Sequence, residues 1–266
     1  MLQRCLIFTL LLIAVGCKRA PVTYERAVNK NFHTRKVGAS ARDLLTAQHY
    51  QSLKIEIQYM TGYAPDEQAV ANLTTFLDEL VHKPKGIQVV TKEIRPIEDT
   101  VLTLDNVIAI ENANREVYTD TSELAVYVLY TNGTFEKGTL IGYAYRNTSA
   151  VLFGKTIRDN SDKWGRLTRT ELETRILQHE FCHMLGLTNV GTPMTAEHMD
   201  HDHGKHCKNK HCLMYYKTEL INYPAMILKK ERPTLDEECL EDLRANGGKK
   251  NGYYCVSLKD IVEQQL

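Results

Sequence analysis

The sequence lacks an excess of charge of either sign. Lys and Arg together number 33, Asp and Glu also number 33, and the formal net charge is therefore zero. A chain without a net field is not drawn electrostatically to nucleic acid or to an anionic bilayer. We expect no nucleic-acid partner, and the charge balance does not identify a substrate.

Long hydrophobic runs, internal repeats and low-complexity tracts are also missing. The main apolar segment, Leu6–Val15, spans ten positions, which is too few for a permanent transmembrane helix. Hydrophobic residues make up 43% of the chain and charged residues 25%. This composition is normal for a globular protein and excludes a disordered chain, a collagen and a multi-span membrane protein.

The N-terminal segment is typical of an export signal. Arg4 supplies a short positive region before the apolar segment, and Ala14-Val15-Gly16 places small residues before Cys17. This region resembles a bacterial lipoprotein signal, which implies a signal peptide over residues 1–16 and a lipid anchor on Cys17. An ordinary secretory signal without lipid is the alternative, and both imply export. We expect the protein to be held by its N-terminal lipid on the periplasmic or cell-surface face of a bacterial membrane.

The rest of the chain divides into a tether and one folded domain. Residues 17–41 contain several Lys and Arg without a sustained hydrophobic period, which predicts a flexible tether. Residues 42–266 are predicted to form the folded domain, with an upper sheet part over 42–188 and a lower part over 189–266.

Strand-like and helix-like patterns alternate along this domain. They predict an α/β (α+β) fold, in which helices cover a mixed, twisted sheet. The predicted strands are Leu53–Tyr59, Ile87–Ile94, Leu124–Tyr130 and two pieces within Leu140–Ile157 that form an antiparallel edge. The predicted helices begin at Pro65-Asp66, Thr103, Thr168 and Pro233.

The clearest chemical signal lies on the helix predicted after Thr168. Seven of the ten histidines fall between His179 and His211, and His179 and His183 are four positions apart. That spacing turns a helix by about 400°, so both imidazoles project from one side and can contact one ion. Neutral imidazole nitrogens suit Zn²⁺. Glu180 lies about 100° round the helix, in the position of a general base that activates water.

This motif and the residues after it resemble those of the metzincin metallopeptidases. His179-Glu180-x-x-His183-x-x-Gly186 resembles their zinc-binding helix, although Asn189 stands where their third histidine ligand follows. The segment from His206-Cys207 to Cys212-Leu213-Met214 resembles archaemetzincins, in which a ligand histidine and two cysteines precede the methionine of the Met-turn. An insertion over residues 190–205 reconciles the two patterns and implies His206 as the third ligand. The resemblance also implies an active-site helix, a Met-turn, a C-terminal helix and one catalytic Zn²⁺.

Other donors in and after the insertion stay open as the third ligand. His203 and His198 are the main alternatives. Asp200 and Asp202 fit zinc less well by ligand type, and two aspartates alone give little support for a calcium site. A zinc peptidase of another clan would instead use a downstream glutamate such as Glu219.

The resemblance also implies roles for Met214 and Tyr216. Met214 corresponds to the Met-turn methionine, which packs beneath the zinc and does not bind it. Tyr216 matches a tyrosine that in some metzincins approaches the metal or donates to the oxyanion, and it is the candidate catalytic residue beside Glu180. The resemblance further implies that a peptide lies extended along an edge strand, for which Ala144–Phe153 is the best candidate.

The chain has seven cysteines. Cys5 falls within the signal, Cys17 is the candidate anchor, and Cys182 is interpreted as a small buried thiol. Archaemetzincins continue with a Cys-x-x-Cys pair that completes a second, structural zinc site, and this chain departs from that pattern. The departure, together with export to an oxidising compartment, favours disulfides, although four cysteines allow three pairings. The simplest pairing joins Cys207 to Cys212 and Cys239 to Cys255.

Together these features predict a zinc-dependent endopeptidase, a metalloprotease that hydrolyses bonds in a peptide or protein substrate and acts as a monomer. Two other hypotheses stay open. A non-catalytic zinc-binding lipoprotein with a metzincin-like fold would hold the metal without turnover. A purely structural role for the histidines would require no metal.

Overall fold

The computed structural model describes residues 29–98, 100–220 and 233–250, and a five-stranded sheet lies at its centre. In chain order the strands are β1 (Ser52–Met60), β2 (Ile87–Ile94), β3 (Val101–Leu102), β4 (Glu123–Thr131), β5 (Thr134–Phe135), β6 (Gly142–Arg146) and β7 (Ser149–Phe153). The central sheet has the order β2-β1-β4-β7-β6, and β3 pairs with β5 in a separate small sheet. Strands β2, β1, β4 and β7 run parallel, and β6 is antiparallel to β7.

Helices cover both faces of this sheet. In the described part of the chain they are α1 (Ala41–Leu45), α2 (Glu67–Leu80), α3 (Leu104–Asn114), α4 (Gly154–Asn160), α5 (Arg169–Met184) and α6 (Glu237–Ala245), with 3-10 turns at Lys30–Thr34 and Tyr216–Glu219. Leucines and phenylalanines of α2 and α5 share one hydrophobic cluster with the sheet, while α3 packs through Val107 into a second cluster on the other face. The predicted mixed α/β architecture is therefore confirmed.

The strand predictions hold closely at the centre of the sheet. All of β4 except its first residue is buried, which explains its continuous apolar run. The predicted antiparallel edge is also present, but only β6 lies at the edge, because β7 pairs with β4 on its other side. The candidate peptide-binding strand Ala144–Phe153 is thus corrected to the part of it that belongs to β6. Residues 154–157 begin α4 and do not continue a strand.

Residues 29–41, assigned to a flexible tether from the sequence, are folded against the domain. His33 in the first 3-10 turn is only 2% exposed. The backbone N–H of Thr119 donates to His33 Nε2 at 3.0 Å, and Nδ1 lies 2.7 Å from the hydroxyl of Thr148. The tether prediction is wrong for this stretch, because its fixing contacts lie 86 and 115 positions away in the sequence.

Several predicted features lie outside the described residues. They are the signal peptide over residues 1–16, the lipid anchor Cys17, the first part of the tether and Cys255. Within the described ranges, every helix is too short or too polar to cross a membrane.

The buried imidazole of His33 should make folding stability depend on pH. Burial, followed by the nearby Arg115 guanidinium, lowers the pKa of His33 to about 3. Below about pH 6.5, His33 of the unfolded chain binds a proton that His33 of the folded chain does not bind. The free energy of unfolding therefore falls as the pH drops. We expect the wild type to lose up to about 1.4 kcal/mol per pH unit more than His33→Gln between pH 6 and 4. Urea unfolding at each pH measures this difference.

The matched control is His82→Gln, which removes an exposed histidine. It should keep the slope of the wild type. If His33→Gln also keeps that slope, the buried imidazole does not control the acid response.

Candidate metal centre and active site

Helix α5, which carries the histidine motif, has well-defined ends. At its start, the Thr168 hydroxyl accepts from the N–H of Glu171, and the Glu171 carboxylate accepts from the N–H of Thr168. This is the predicted capping box. At its end, the N–H groups of Gly186 and Leu187 donate back to carbonyls of the last turn, as in a Schellman motif. Gly186 has a φ of +86°, and a Cβ there would lie 2.5 Å from the backbone nitrogen of Thr192, so the chain turns back at this point only with glycine.

The two helical histidines face each other through their Nε2 atoms. His179 Nδ1 donates to the carbonyl oxygen of Leu213 at 2.8 Å, so its Nε2 carries a lone pair. The Nε2 atoms of His179 and His183 are 3.1 Å apart. Two nitrogens bound to one tetrahedral zinc ion are about 3.3 Å apart. The helix therefore presents two ligand atoms at the separation that zinc requires.

A hairpin brings His206 to the same place. Residues 198–200 pair antiparallel with residues 206–208, and the N–H of Asp200 donates to the carbonyl of His206 at 2.7 Å. His206 Nδ1 donates to the Gly204 carbonyl at 2.8 Å. Its Nε2 is buried without a hydrogen-bond partner, and its ring lies 5.4 Å from that of His179 and 5.0 Å from that of His183. We call residues 198–208 the insert hairpin.

The three imidazoles form one candidate metal centre together with Glu219. One ligand atom from each of these four residues lies within 4.8 Å of every other. Burial lowers the pKa of His179 to about 3, and burial also lowers the pKa values of His183 and His206. The imidazoles are therefore neutral at pH 7, the state in which they bind a metal.

The other predicted donors lie elsewhere. Asn189 is exposed with a φ of +63°. His203 Nδ1 lies 2.8 Å from the carboxylate of Asp200, and its ring stacks on Tyr216 at 3.4 Å. His203, Asp200 and the exposed Asp202 are not members of the metal centre, and neither is His198, which lies among the cysteines.

Glu180 lies beside the histidines and is tied to the edge strand. Its Oε2 accepts from the backbone N–H of Ala144 in β6 at 2.6 Å, and its Oε1 is buried without a partner. Burial and then the Glu219 carboxylate raise the pKa of Glu180 well above its ordinary value. A Cβ on Gly142 would lie 2.4 Å from the Cγ2 of Ile176 and 3.2 Å from Glu180 Oε1. Glycine at this position allows α5 to approach β6 closely enough for the Glu180 contact.

The segment around Met214, predicted to form a Met-turn, contacts the centre through its backbone. Met214 is fully buried in the core, and its carbonyl accepts from the N–H of Cys207 at 2.8 Å. The neighbouring Leu213 carbonyl orients His179. Tyr216 is partly exposed and stacks on His203, and its predicted catalytic role stays a prediction.

A second group of donors lies on the other side of the insert hairpin. The Sγ atoms of Cys212 and Cys239 are 3.7 Å apart, and His198 Nδ1 is 3.9 Å from Cys239 Sγ. Cys207 Sγ lies 3.2 Å from a carboxylate oxygen of Asp236. We call these five residues the thiol cluster. Two thiolates on one zinc ion are about 3.8 Å apart, which matches the separation of Cys212 from Cys239.

The predicted disulfide between Cys207 and Cys212 is not present. Cys207, Cys212 and Cys239 are all free thiols, as is the buried Cys182. The sulfurs of Cys207, Cys212 and Cys239 lie close together at one point. Hydrogen bonds from the two other thiols lower the pKa of Cys207, which favours a thiolate inside the cluster. The predicted partner of Cys239, Cys255, lies outside the described residues.

Sequence reasoning missed residues that act through the backbone or through distant contacts. Ala144 contributes only its N–H, and Gly142 contributes only the absence of a side chain, so neither has a local sequence signal. Asp242 in α6 accepts from His198 Nε2 at 2.7 Å and from the N–H of Thr195. A buried acid placed after Cys239 on an amphipathic helix could have suggested a polar contact, but it does not indicate His198 as the partner.

The chain was compared with known proteins. No protein-family model matches the sequence, and a search of curated proteins found no match. Among solved structures, archaemetzincin from Methanopyrus kandleri is similar with a TM-score of 0.49 and 16% identity, over 74% of this chain and 96% of that one. Metalloproteinase-II from Bacteroides fragilis is similar with a TM-score of 0.44 and 16% identity, over 82% of this chain and 58% of that one. Similarities of this size do not assign chemistry, which must come from the site itself.

The close approach of α5 to β6 gives a testable prediction. Gly142→Ala should destabilise the fold by about 1–3 kcal/mol, because the new methyl overlaps Ile176. The overlap should be relieved in the double variant Gly142→Ala/Ile176→Ala. A double-mutant cycle on unfolding free energies should therefore show a favourable coupling between the two substitutions. Additive effects would mean that the two positions do not constrain each other.

Proposed function

We propose that this chain is a zinc-dependent endopeptidase that hydrolyses peptide bonds with Glu180 as the general base. One observation carries the proposal: three buried, neutral imidazoles direct Nε2 atoms toward one point, and a carboxylate lies beside them at the sheet edge. The segment from His179 to Met214 resembles the archaemetzincin motif, and this resemblance supports the same function.

The residues of the centre fit a zinc ion. His179, His183 and His206 are the proposed ligands, and the unpartnered, buried Nε2 of His206 needs a cation to satisfy it. The backbone carbonyls that accept from His179 and His206 orient both rings from behind, as is usual for metal-bound histidines. Zinc in such a site supplies a Lewis acid that activates water and polarises a carbonyl group.

In this proposal, Glu180 accepts and then donates the proton. Its Oε2 is fixed by the N–H of Ala144, which leaves Oε1 free of hydrogen bonds. Oε1 is the atom that takes a proton from the attacking water and later delivers it to the leaving amine. Tyr216 is the proposed donor to the oxyanion.

A peptide substrate would lie along β6. The N–H of Ala144 points away from β7 and donates to Glu180, so the outer side of this edge strand faces the metal centre. A bulge at Tyr145, between the paired residues Ala144 and Arg146, redirects the strand next to the site, where such irregularities often occur. Backbone hydrogen bonds to an extended chain are the expected mode of binding.

We further propose a second, structural zinc ion in the thiol cluster. Cys207, Cys212 and Cys239 supply three sulfur ligands, and three thiolates with one histidine form a typical structural zinc set. His198 is the proposed fourth ligand, because its Nε2 is backed by the Asp242 carboxylate, as in carboxylate–histidine–zinc arrangements.

Asp236 fits the fourth position less well. Its Oδ1 caps α6 by accepting from the N–H of Cys239, and its Oδ2 accepts from the amide of Asn209. Both oxygens therefore have partners already.

The proposed location is the periplasmic or cell-surface face of a bacterial membrane, with the mature chain held by lipid on Cys17. Support for it comes only from the sequence of the first seventeen residues. We also propose that the protein acts as a monomer on peptide or protein substrates. The alternative, a non-catalytic zinc-binding lipoprotein, would share the metal centre and differ in having no turnover.

Replacing the general base should separate binding of metal from catalysis. Glu180→Gln should keep the zinc content of the wild type, because Glu180 is not a proposed ligand. Its kcat/KM on a cleaved peptide should fall by about 10²–10⁴-fold, since proton transfer is lost. Glu171→Gln on the same helix is the matched control and should cleave normally, because glutamine also serves a capping box. Normal turnover by Glu180→Gln would overturn the assignment.

Metal analysis tests the second zinc. The purified full chain should hold two zinc ions, Cys212→Ser should hold one, and Cys182→Ser, which changes a buried thiol outside both sites, should hold two. His198→Ala should weaken the second ion, whereas Asp236→Asn should not. Equal zinc in the wild type and Cys212→Ser would contradict the proposal.

Removing the ions with a chelator should also lower Tm, because a bound metal stabilises the folded state.

A further inference from the structure

Glu219 supplies a second carboxylate at the metal centre. It belongs to the 3-10 turn Tyr216–Glu219 and not to helix α5, which carries the histidine motif. Its Oε2 lies 3.9 Å from His179 Nε2, and its Oε1 lies 3.8 Å from His206 Nε2. The side chain is 16% exposed. Each of its two oxygens therefore faces a nitrogen that we assign to the metal.

The backbone around Glu219 is fixed to the sheet. Its carbonyl accepts from the N–H of Ile141 at 3.0 Å, and Leu220 forms an antiparallel bridge with Leu140. Residues 140 and 141 come immediately before β6. The main chain at Glu219 is therefore fixed next to β6.

The hydrogen bonds behind His179 and His206 leave two acceptor nitrogens at this point. The Nδ1 atoms of His179 and His206 already donate to backbone carbonyls, so their Nε2 atoms carry lone pairs toward Glu219. A carboxylate is also an acceptor when ionised. Buried acceptors that face one another without a donor are costly, and a cation held between them removes that cost.

We propose that Glu219 is the fourth ligand of the catalytic metal in the resting protein and closes the position that water and substrate need. The regulatory half of this inference rests on the proposed peptidase function. A hydrolytic zinc site needs one open position, and here a residue of the same chain holds it. The centre becomes competent when the Glu219 carboxylate withdraws.

The edge strand connects this withdrawal to substrate. The pairing of residues 140–141 with 219–220 occupies the sheet edge just before β6. A peptide that adds to β6 and extends past Gly142 competes for that same pairing. Binding of an extended substrate therefore loosens the segment that carries Glu219, and short peptides that stay within β6 do not.

Glu180 and Glu219 thus have different tasks. Glu180 is held away from the ligand position by the N–H of Ala144 and keeps a free oxygen for protons. Glu219 has no such bond to β6 through its side chain and directs both oxygens at the imidazoles.

The test uses the full chain with cobalt(II) in the catalytic site, in the wild type, Glu219→Gln and Glu219→Ala. Exposed Glu136→Gln is the control for loss of one negative charge. Visible d–d bands report the ligands of the cobalt ion, azide titration reports an open position, and competition with a chelator reports zinc affinity. Because glutamine preserves the size of the side chain, the Gln variant protects the test against misfolding of the Ala variant.

Both Glu219 variants should shift the cobalt bands, bind azide at least about tenfold more tightly and hold zinc at least about tenfold more weakly than the wild type and Glu136→Gln. With saturating zinc, their kcat/KM on short peptides should rise. Unchanged bands and azide affinity in both variants would overturn the inference, even if the wild type cleaves peptides. A fall in kcat/KM with unchanged cobalt bands would make Glu219 a catalytic acid or base and would also overturn it.

Failure of the proposed function gives a different result. If the bands and the azide affinity change as expected but no variant cleaves any peptide, Glu219 is a ligand of a non-catalytic metal site. In that case the ligand assignment stands, and the peptidase proposal and its regulation by Glu219 fail.

Discussion

The candidate metal centre depends on the convergence of three buried imidazoles at one point. Backbone carbonyls take the Nδ1 protons of His179 and His206, which forces the opposite nitrogens to face each other as lone pairs. Such an arrangement is unfavourable without a cation. Helix α5, the insert hairpin and the Met-turn are all placed so that this point exists, and each contributes a histidine or the carbonyl that orients one.

The insert hairpin links the two groups of metal-binding residues. His198 and Cys207 lie on its two sides and belong to the thiol cluster, while His206 is the neighbour of Cys207 and projects to the candidate metal centre. An ion in the thiol cluster would therefore fix the hairpin from which His206 extends. Asp242 and the α6 helix extend this support to the lower part of the domain. The insertion therefore carries residues of both groups.

Two carboxylates, those of Glu180 and Glu219, lie at the metal centre. Glu180 belongs to the helix and is restrained by β6, whereas Glu219 belongs to the segment after the Met-turn and is restrained by the residues just before β6. The same sheet edge thus controls the position of both carboxylates and is the proposed docking place of a peptide. In the proposed peptidase, this edge would connect a bound peptide to both carboxylates through main-chain hydrogen bonds. Glycine at position 142 leaves room for the close approach of Glu180.

The sequence by itself determined the features that depend on local spacing. Helix α5, its capping box, the turn at Gly186, the paired histidines with Glu180 and the parallel strands all follow from patterns within a few residues. The resemblance favoured His206, and tertiary structure decided that His206 and not His203 or His198 reaches the helix, because hairpin register sets which side chain faces inward. It also placed Cys207 and Cys212, expected in a disulfide, in a cluster of three thiols and showed that His33 is buried. These outcomes depend on contacts between residues far apart in the chain, and sequence spacing does not encode distances of that kind.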